Sequence, residues 1–382
     1  MTRRGPFEGS IYQRGDGLWV GVVHLGYDVG KRRRKYLYGK TRREVQERLT
    51  KTLSDRQKGL PVTSERLTVG QYLERWLQDV ARPGLRPLTF RGYERIVRVH
   101  LLPTLGHIRL AKLTPQDVQA LLNARQAAGK APRTVQSIRA VLRRALGQAV
   151  QWGLVHRNVA ALVNSPHISR PDIRPLTLAQ VRTLLDAARG DRLEALYTVA
   201  LAIGLRQGEA LGLQWDDVDV KQGTLTVRHT LQRIDGKLTP VEPKTARSRR
   251  TIPLPAIAVT ALRAHHARQL EERLRVGNSW TDSGYVFTTA VGTPLDAATV
   301  TRAFQRLLRR AGLPHQRFHD LRHACASLLL EQGVHPRVVQ ETLGHSQIGI
   351  TMDTYSHVVQ SLQREAADRM DVALAGAAGH SV

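Results

Sequence analysis

The sequence predicts a multidomain α+β protein. A small three-stranded β-sheet with one helix comes first, an all-α bundle follows, and a mainly α domain with a small β-sheet closes the chain. Three observations predict this. The chain has 382 residues, more than twice the roughly 150 of a typical domain, so two or three domains are expected. Alternation rich in β-branched and aromatic residues is concentrated in the first sixty positions, and helical periodicity takes over from Thr68. Polar, turn-rich stretches at 61–67 and 166–176 read as linkers, which gives domains at 1–60, 68–165 and 177–382.

In the first domain, Gly9 to Gln13, Leu18 to Leu25 and Arg33 to Tyr38 read as strands. Arg14-Gly15-Asp16-Gly17 is a hairpin signal, because glycine accepts the positive φ of a tight turn. Thr41 caps a helix running to about Lys58, with Val45, Leu49 and Leu53 on one face. This segment holds 15 basic and 6 acidic side chains, a net of +9. Its run Lys31-Arg32-Arg33-Arg34-Lys35 has two readings. It is either a solvated edge that resists aggregation or a contact to a nucleic-acid backbone. The whole chain favours the second. Lys plus Arg is 58 against Asp plus Glu of 32, a net of +26, which implies a polyanionic partner.

In the second domain, Val69, Leu73, Trp76 and Leu77 repeat at helical spacing, and Pro83-Gly84 ends that helix. Thr89 opens a second helix with Tyr93, Ile96, Val97 and His100, which Pro103 stops. Thr114-Pro115 is a cap followed by proline at the first helical position. Ala131 to Trp152 makes a longer fourth helix, so a compact bundle is expected. Arg91, Arg95, Arg139 and Arg143 lie on these helices as candidates for contact with DNA. In the third domain Thr177 caps a helix. Thr224 to Arg228 and Arg249 to Pro253 read as strands separated by a polar loop.

Several classes are excluded. Hydrophobic residues make up 41%, enough for ordinary cores. The single cysteine, Cys325, forbids an internal disulfide and argues against a cysteine-based metal site. No apolar stretch follows the N-terminus, and the longest apolar run, around Val199 to Leu205, falls far short of the ~20 residues a membrane span needs. A soluble, reduced, cytoplasmic protein with no membrane partner is expected.

The third domain carries five short words in order: Gly204-Leu205-Arg206-Gln207-Gly208-Glu209, the run Pro243 to Leu254 with Lys244, His319-Asp320-Leu321-Arg322-His323, Leu343-Gly344-His345, and Thr354-Tyr355-Ser356-His357. Each alone is weak. Arg206 reads by itself as a surface charge that Glu209 fixes by a charge-assisted fork. His319 and Arg322 are three apart and share a helical face, while Asp320 points elsewhere as a helix-start acceptor. A metal at His319, His323 and His345 is disfavoured, because no Glu follows the first His in the metalloprotease manner and a guanidinium sits among them. Together the words form a reagent set. Two guanidiniums neutralise the non-bridging oxygens of a phosphodiester, a lysine protonates a leaving alkoxide, and a histidine moves a proton near neutral pH. A tyrosine forms an ester with phosphate that conserves the energy of the bond it replaces. No carboxylate cluster or Gly-rich phosphate loop is evident, so no cofactor is expected.

These words, GLRQGE, PKTARSRRTIPL, HDLRH, LGH and TYSH, resemble those of the tyrosine recombinase family, specifically phage-type integrases with an N-terminal arm-binding domain. The resemblance implies a tyrosine recombinase fold: arm-type DNA-binding domain, helical core-binding domain and catalytic domain. It implies that Tyr355 attacks the scissile phosphate to give a 3′-phosphotyrosyl and that Arg206 and Arg322 hold the non-bridging oxygens. Lys244 is the implied general acid, His319 assists proton transfer at the nucleophile, His345 hydrogen-bonds the phosphate, and Glu209 buttresses Arg206. It also implies double-stranded attachment sites, a homo-tetramer on DNA, and DNA-bending and directionality factors as partners. The helix read at Val358 to Leu374 either docks into a neighbouring copy or packs on its own domain. A catalytically silent DNA-binding regulator and a type IB topoisomerase-like relaxing enzyme are the alternatives.

Overall fold

A computed structural model of the chain describes residues 9–28, 31–57, 66–168, 174–243 and 249–344, with Ala367, Met370, Asp371 and Leu374. Lys244, His345, Tyr355 and all but those four positions of the C-terminal helix reading lie outside the described residues. The chain divides into two compact units, Met1–Arg170 and Pro171–Val382.

The first unit opens with an antiparallel sheet of β1 (Ser10–Gln13), β2 (Trp19–Asp28) and β3 (Lys31–Gly39), in that order. The β1–β2 turn closes where glycine permits it, with Gly17 at φ +83 and its amide donating to the Arg14 carbonyl. Helix α1 (Arg42–Gln57) covers one face, and Leu49 joins Val23 and Leu37 in a small core. Strands β2 and β3 run further than the periodicity predicts, so the basic run Lys31 to Lys35 lies within β3.

The bundle follows. Helix α2 (Val69–Trp76) passes through a π-helical turn (Leu77–Ala81) into α3 (Arg82–Gly84). Helix α4 (Pro87–Ile96) does the same through Val97–Leu101 into α5 (Leu102–Leu105). Helices α6 (Pro115–Ala127) and α7 (Pro132–Gln151) complete it. Thr68 and Thr114 each build a capping box, with Gln71 and Asp117 returning the bond. Tyr72, Leu73, Trp76, Leu101, Leu105 and Leu121 are among the fully buried residues of its core. Two sequence expectations are corrected here. The second helix starts at Pro87 rather than Thr89, with proline at its first position, and Pro103 does not stop it. Its ring would clash with the carbonyl four residues back. The residue before it, Leu102, bonds instead to the Val97 carbonyl five back, and this widened turn carries the helix past the proline. Arg82, before Pro83, bonds to the Leu77 carbonyl in the same way.

In the second unit, α8 (Leu178–Ala188) is capped by Thr177, and α9 (Glu194–Ala202) is buried on every side from Ala195 to Leu201. A short α10 (Gln207–Leu211) leads to β4 (Val218–Asp219) and β5 (Thr224–Val227). The stretch expected to be a polar loop contains a hairpin, β6 (Thr230–Ile234) and β7 (Lys237–Val241). Its turn is Asp235-Gly236, with φ of +48 and +79, a dipeptide that tolerates the left-handed region. Strand β8 (Arg250–Pro253) pairs with β5 at the edge of a β4-β5-β8 sheet, where Pro253 costs no ladder bond. Helices α11 (Ala256–Val276) and α13 (Asp320–Glu331) pack on α9, α12 (Ala297–Arg310) packs on α8, and α14 (Pro336–Leu343) packs on α13. Tyr197, Phe304 and Phe318 cluster together.

Candidate active site

The site is organised around one glycine. Helix α9 ends at Ala202, and Gly204 turns the chain at φ +65. A Cβ there would collide with Leu343 Cδ2 and lie 3.3 Å from Cys325 Sγ, so only glycine lets the ends of α9 and α14 meet over α13. The Gly204 carbonyl accepts a 2.8 Å hydrogen bond from Nη1 of Arg322, a residue only 1% exposed. Two residues later Arg206 caps α10 in extended conformation. Its amide donates to Glu209 Oε2 at 3.1 Å, and its Nη1 to Oε1 at 2.6 Å. One carboxylate thus fixes both the backbone and the guanidinium of Arg206, the fork expected from the sequence.

Glu209 serves a second cation that sequence reasoning missed. Arg250, at the start of β8, donates from Nη2 to Glu209 Oε2 at 3.0 Å and from Nε to the Thr342 carbonyl at 2.7 Å. Burial pushes the Glu209 carboxyl up, but Arg250 and then Arg206 outweigh it and hold it below the ordinary carboxylate range. A signal for Arg250 existed. It sits two residues before Ile252 in a strand, so it shares the inward face of a buried residue. Arg206 Nη2 reaches the Gly344 carbonyl at 3.3 Å. Gly344 ends α14 in left-handed conformation, and the next residue in sequence is His345.

His319 and Arg322 flank the start of α13. Asp320 accepts from the Arg317 amide and guanidinium at 2.7 Å each, the helix-start role expected of it. The His319 and His323 rings meet edge to face at 5.1 Å. Burial, and then the neighbouring His323, Arg322 and Arg317, push His319 down to about 4. Its imidazole is therefore neutral near pH 7 and a weaker base than an ordinary histidine. Burial also lowers His323. Among the described residues, no group of three or more His, Cys, Asp or Glu is placed to hold a metal ion.

The candidate DNA-contact residues lie in the first unit. Arg34 is exposed on β3; Arg32 and Arg33 share that strand, but their side chains lie outside the description. Cross-strand register puts Tyr12, Val20 and Tyr38 in one row and Val22 and Tyr36 in the next, on the sheet face away from α1. The three tyrosines there are each nearly half exposed. On the bundle Arg95 and Arg143 are exposed and Arg91 is half-buried. Arg139 is half-buried as well, and its Nη2 donates to the Ala161 carbonyl at 3.3 Å.

Residues 174–361 match the phage integrase family, and residues 68–124 match a phage integrase N-terminal SAM-like domain. A tyrosine recombinase XerC-like protein from Caldanaerobacter subterraneus subsp. tengcongensis is 31% identical over 370 residues, 92% of this chain and 95% of that one. The chain belongs to the phage integrase family of tyrosine recombinases. This tyrosine recombinase is also similar to the Tn1549 transposon integrase solved with transposon right-end DNA, at 25% identity and a TM-score of 0.67, covering 79% of this chain and 99% of that one. It shares its fold with a lambda integrase tetramer bound to a Holliday junction, at 20% identity and a TM-score of 0.57, covering 92% and 97%. It is a site-specific DNA recombinase that breaks and rejoins DNA strands, and these relatives favour neither a silent regulator nor a relaxing enzyme. No helix among the described residues is long and apolar enough to cross a membrane.

Proposed function

We propose that this recombinase integrates or excises a mobile element in the cytoplasm through a 3′-phosphotyrosyl intermediate on Tyr355. Arg206 and Arg322 hold the two non-bridging oxygens of the scissile phosphate, where charge builds in the transition state. Lys244 protonates the departing 5′-oxygen. His319 assists proton transfer at the Tyr355 hydroxyl, with an imidazole that burial keeps neutral. His345 hydrogen-bonds the phosphate, and Glu209 holds Arg206 in place. The observation that carries this reading is the double grip on two turns: Arg322 on the Gly204 carbonyl and Arg206 on the Gly344 carbonyl. It draws together three of the five sequence words.

In the same reading, residues 1–60 bind arm-type sites, 68–165 grip the core site and 177–382 carry the chemistry. Phosphate contacts from Arg32, Arg33, Arg34, Arg91, Arg95, Arg139 and Arg143 supply much of the affinity, with the exposed tyrosine face of the sheet beside the basic run. The working assembly is a tetramer on paired attachment sites, aided by DNA-bending and directionality proteins; lambda integrase forms a tetramer bound to a Holliday junction. The test is a nicked suicide duplex spanning the attachment site mapped from direct repeats beside the coding region. The wild-type chain traps a covalent protein–DNA adduct, and Tyr355→Phe traps none. An adduct that persists in Tyr355→Phe overturns the assignment.

A further inference from the structure

We propose that Arg250 is a positioning residue for strand cleavage: it balances the charge of Glu209 so that Arg206 keeps its own charge for the phosphate, and it clamps the end of the helix that leads to His345. The proposal rests on the roles given above to Arg206 and His345.

The first argument is electrostatic. Glu209 and Arg206 alone make a neutral pair, and a guanidinium spent on one carboxylate offers a weak field to a second anion. Arg250 adds the missing cation, so the triad Arg206–Glu209–Arg250 carries a net positive charge. Exposure assigns the places within it. The side chains of Glu209 and Arg250 are 2% and 7% exposed, while that of Arg206 is 38% exposed. Arg250 is behind the carboxylate and Arg206 is the member open to a ligand. Removing Arg250 leaves Glu209 with Arg206 as its remaining guanidinium in this triad and draws Arg206 inward.

The second argument is geometric. The last carbonyls of a helix have no amide partner within it and carry partial negative charge. Arg250 Nε fills that need at Thr342, the penultimate residue of α14. Its guanidinium also lies against the following turn, since a Cβ on Gly344 would be 2.9 Å from Arg250 Nη1. Arg250 begins β8, six residues after Lys244. One side chain therefore joins the strand downstream of the proposed acid, the buttress of the first arginine and the turn before His345. A lysine has one nitrogen and cannot reach Glu209 and Thr342 in this forked manner.

The experiment uses the full chain and the same nicked duplex, under single turnover at saturating DNA. Arg250→Met lowers the rate of adduct formation on the order of a hundredfold, the loss typical of one preorganised electrostatic contact, while DNA affinity stays within about threefold. Arg250→Lys recovers part of the rate. A duplex with an uncharged methylphosphonate at the scissile position separates positioning from general support. It demands less positive charge, so the gap between wild type and Arg250→Met shrinks at least about tenfold on it. The proposal is overturned by an Arg250→Met rate within threefold of wild type, or by an equal loss on both duplexes tracking a fall in melting temperature. Should Arg250→Met not fold, Arg250→Lys is held to the same two-duplex comparison. If the wild-type chain forms no adduct at all, the functional reading fails and this proposal falls with it; a normal wild-type adduct with an unaffected variant removes this proposal alone.

Discussion

On the helical bundle, Arg95 and Arg143 stand in solvent, and Arg75 and Arg98 pair with acids one turn away on their own helices. In the second unit, Arg250 and Arg322 are withdrawn almost wholly from water and bonded to backbone carbonyls of distant segments. The side chain is the same; its physics differs. An exposed guanidinium is screened, and its ion pairs are worth ~1 kcal/mol or less, so it acts through number, by displacing counterions from a polyanion. A buried one has shed its water before the reaction and needs no reorganisation when charge develops nearby. The first kind suits gripping a duplex of any sequence, and the second suits a transition state.

The largest test of that contrast compares Arg322→Ala with Arg95→Ala. The first lowers the adduct rate roughly a hundred- to a thousandfold at saturating DNA. The second weakens DNA binding and reduces the slope of log affinity against log salt by ~0.9. Equal effects of the two on rate, read by single-turnover trapping, would erase the distinction.

A smaller effect separates the units by their glycines. Gly204 and Gly129 both have positive φ, +65 and +74, but an added Cβ meets Leu343 at the first and open space at the second. Gly129→Ala costs about 1 kcal/mol from the backbone alone. Gly204→Ala costs roughly 2–4 kcal/mol, because the clash at Leu343 adds to that strain. Its adduct rate also falls, since Leu343 precedes the Gly344 turn. Denaturant melts of both variants decide the matter, and identical losses would mean that the Gly204 packing carries no weight.

The smallest effect is a titration. In the folded protein His319 has its pKa pushed down to about 4, below the ~6.5 of an unfolded chain. The sign follows from proton binding. Above ~6.5 neither state is protonated and the group is neutral to stability. As pH falls from there towards 4, the unfolded chain takes up a proton that the folded chain refuses, and stability drops. The ring signals of His319 in the DNA-free protein should move near pH 4. Movement near 6.5 would show the ring to be hydrated and the local packing looser than described.

Much of the fold was legible because its signals are local. Thr68, Thr114 and Thr177 announce their helices, since a capping side chain bonds within three residues of itself. Gly17 marks its hairpin for the same reason. The Asp235-Gly236 turn is equally local, but the polar residues on either side of it mask the strand alternation. The continuation of α4 past Pro103 was not local. Proline lowers the intrinsic preference for helix, and only the burial of Leu101 and Leu105 in the bundle core makes the π-turn worth its distortion. In the site, Glu209 was found with Arg206 because three residues span one helical turn, whereas Arg250 bonds across 41 residues to Glu209 and 92 to Thr342.

By itself, the order of residues determined the reagents: two arginines, a buttressing glutamate, the histidines and the net charge that calls for a polyanion. It also determined most of the elements, because periodicity and caps act over a single turn. The tertiary structure decided which guanidiniums lose their water, which carbonyls they hold and which imidazole stays neutral. Solvation and Coulomb energy depend on distances through space, and those are set only when remote segments pack against one another.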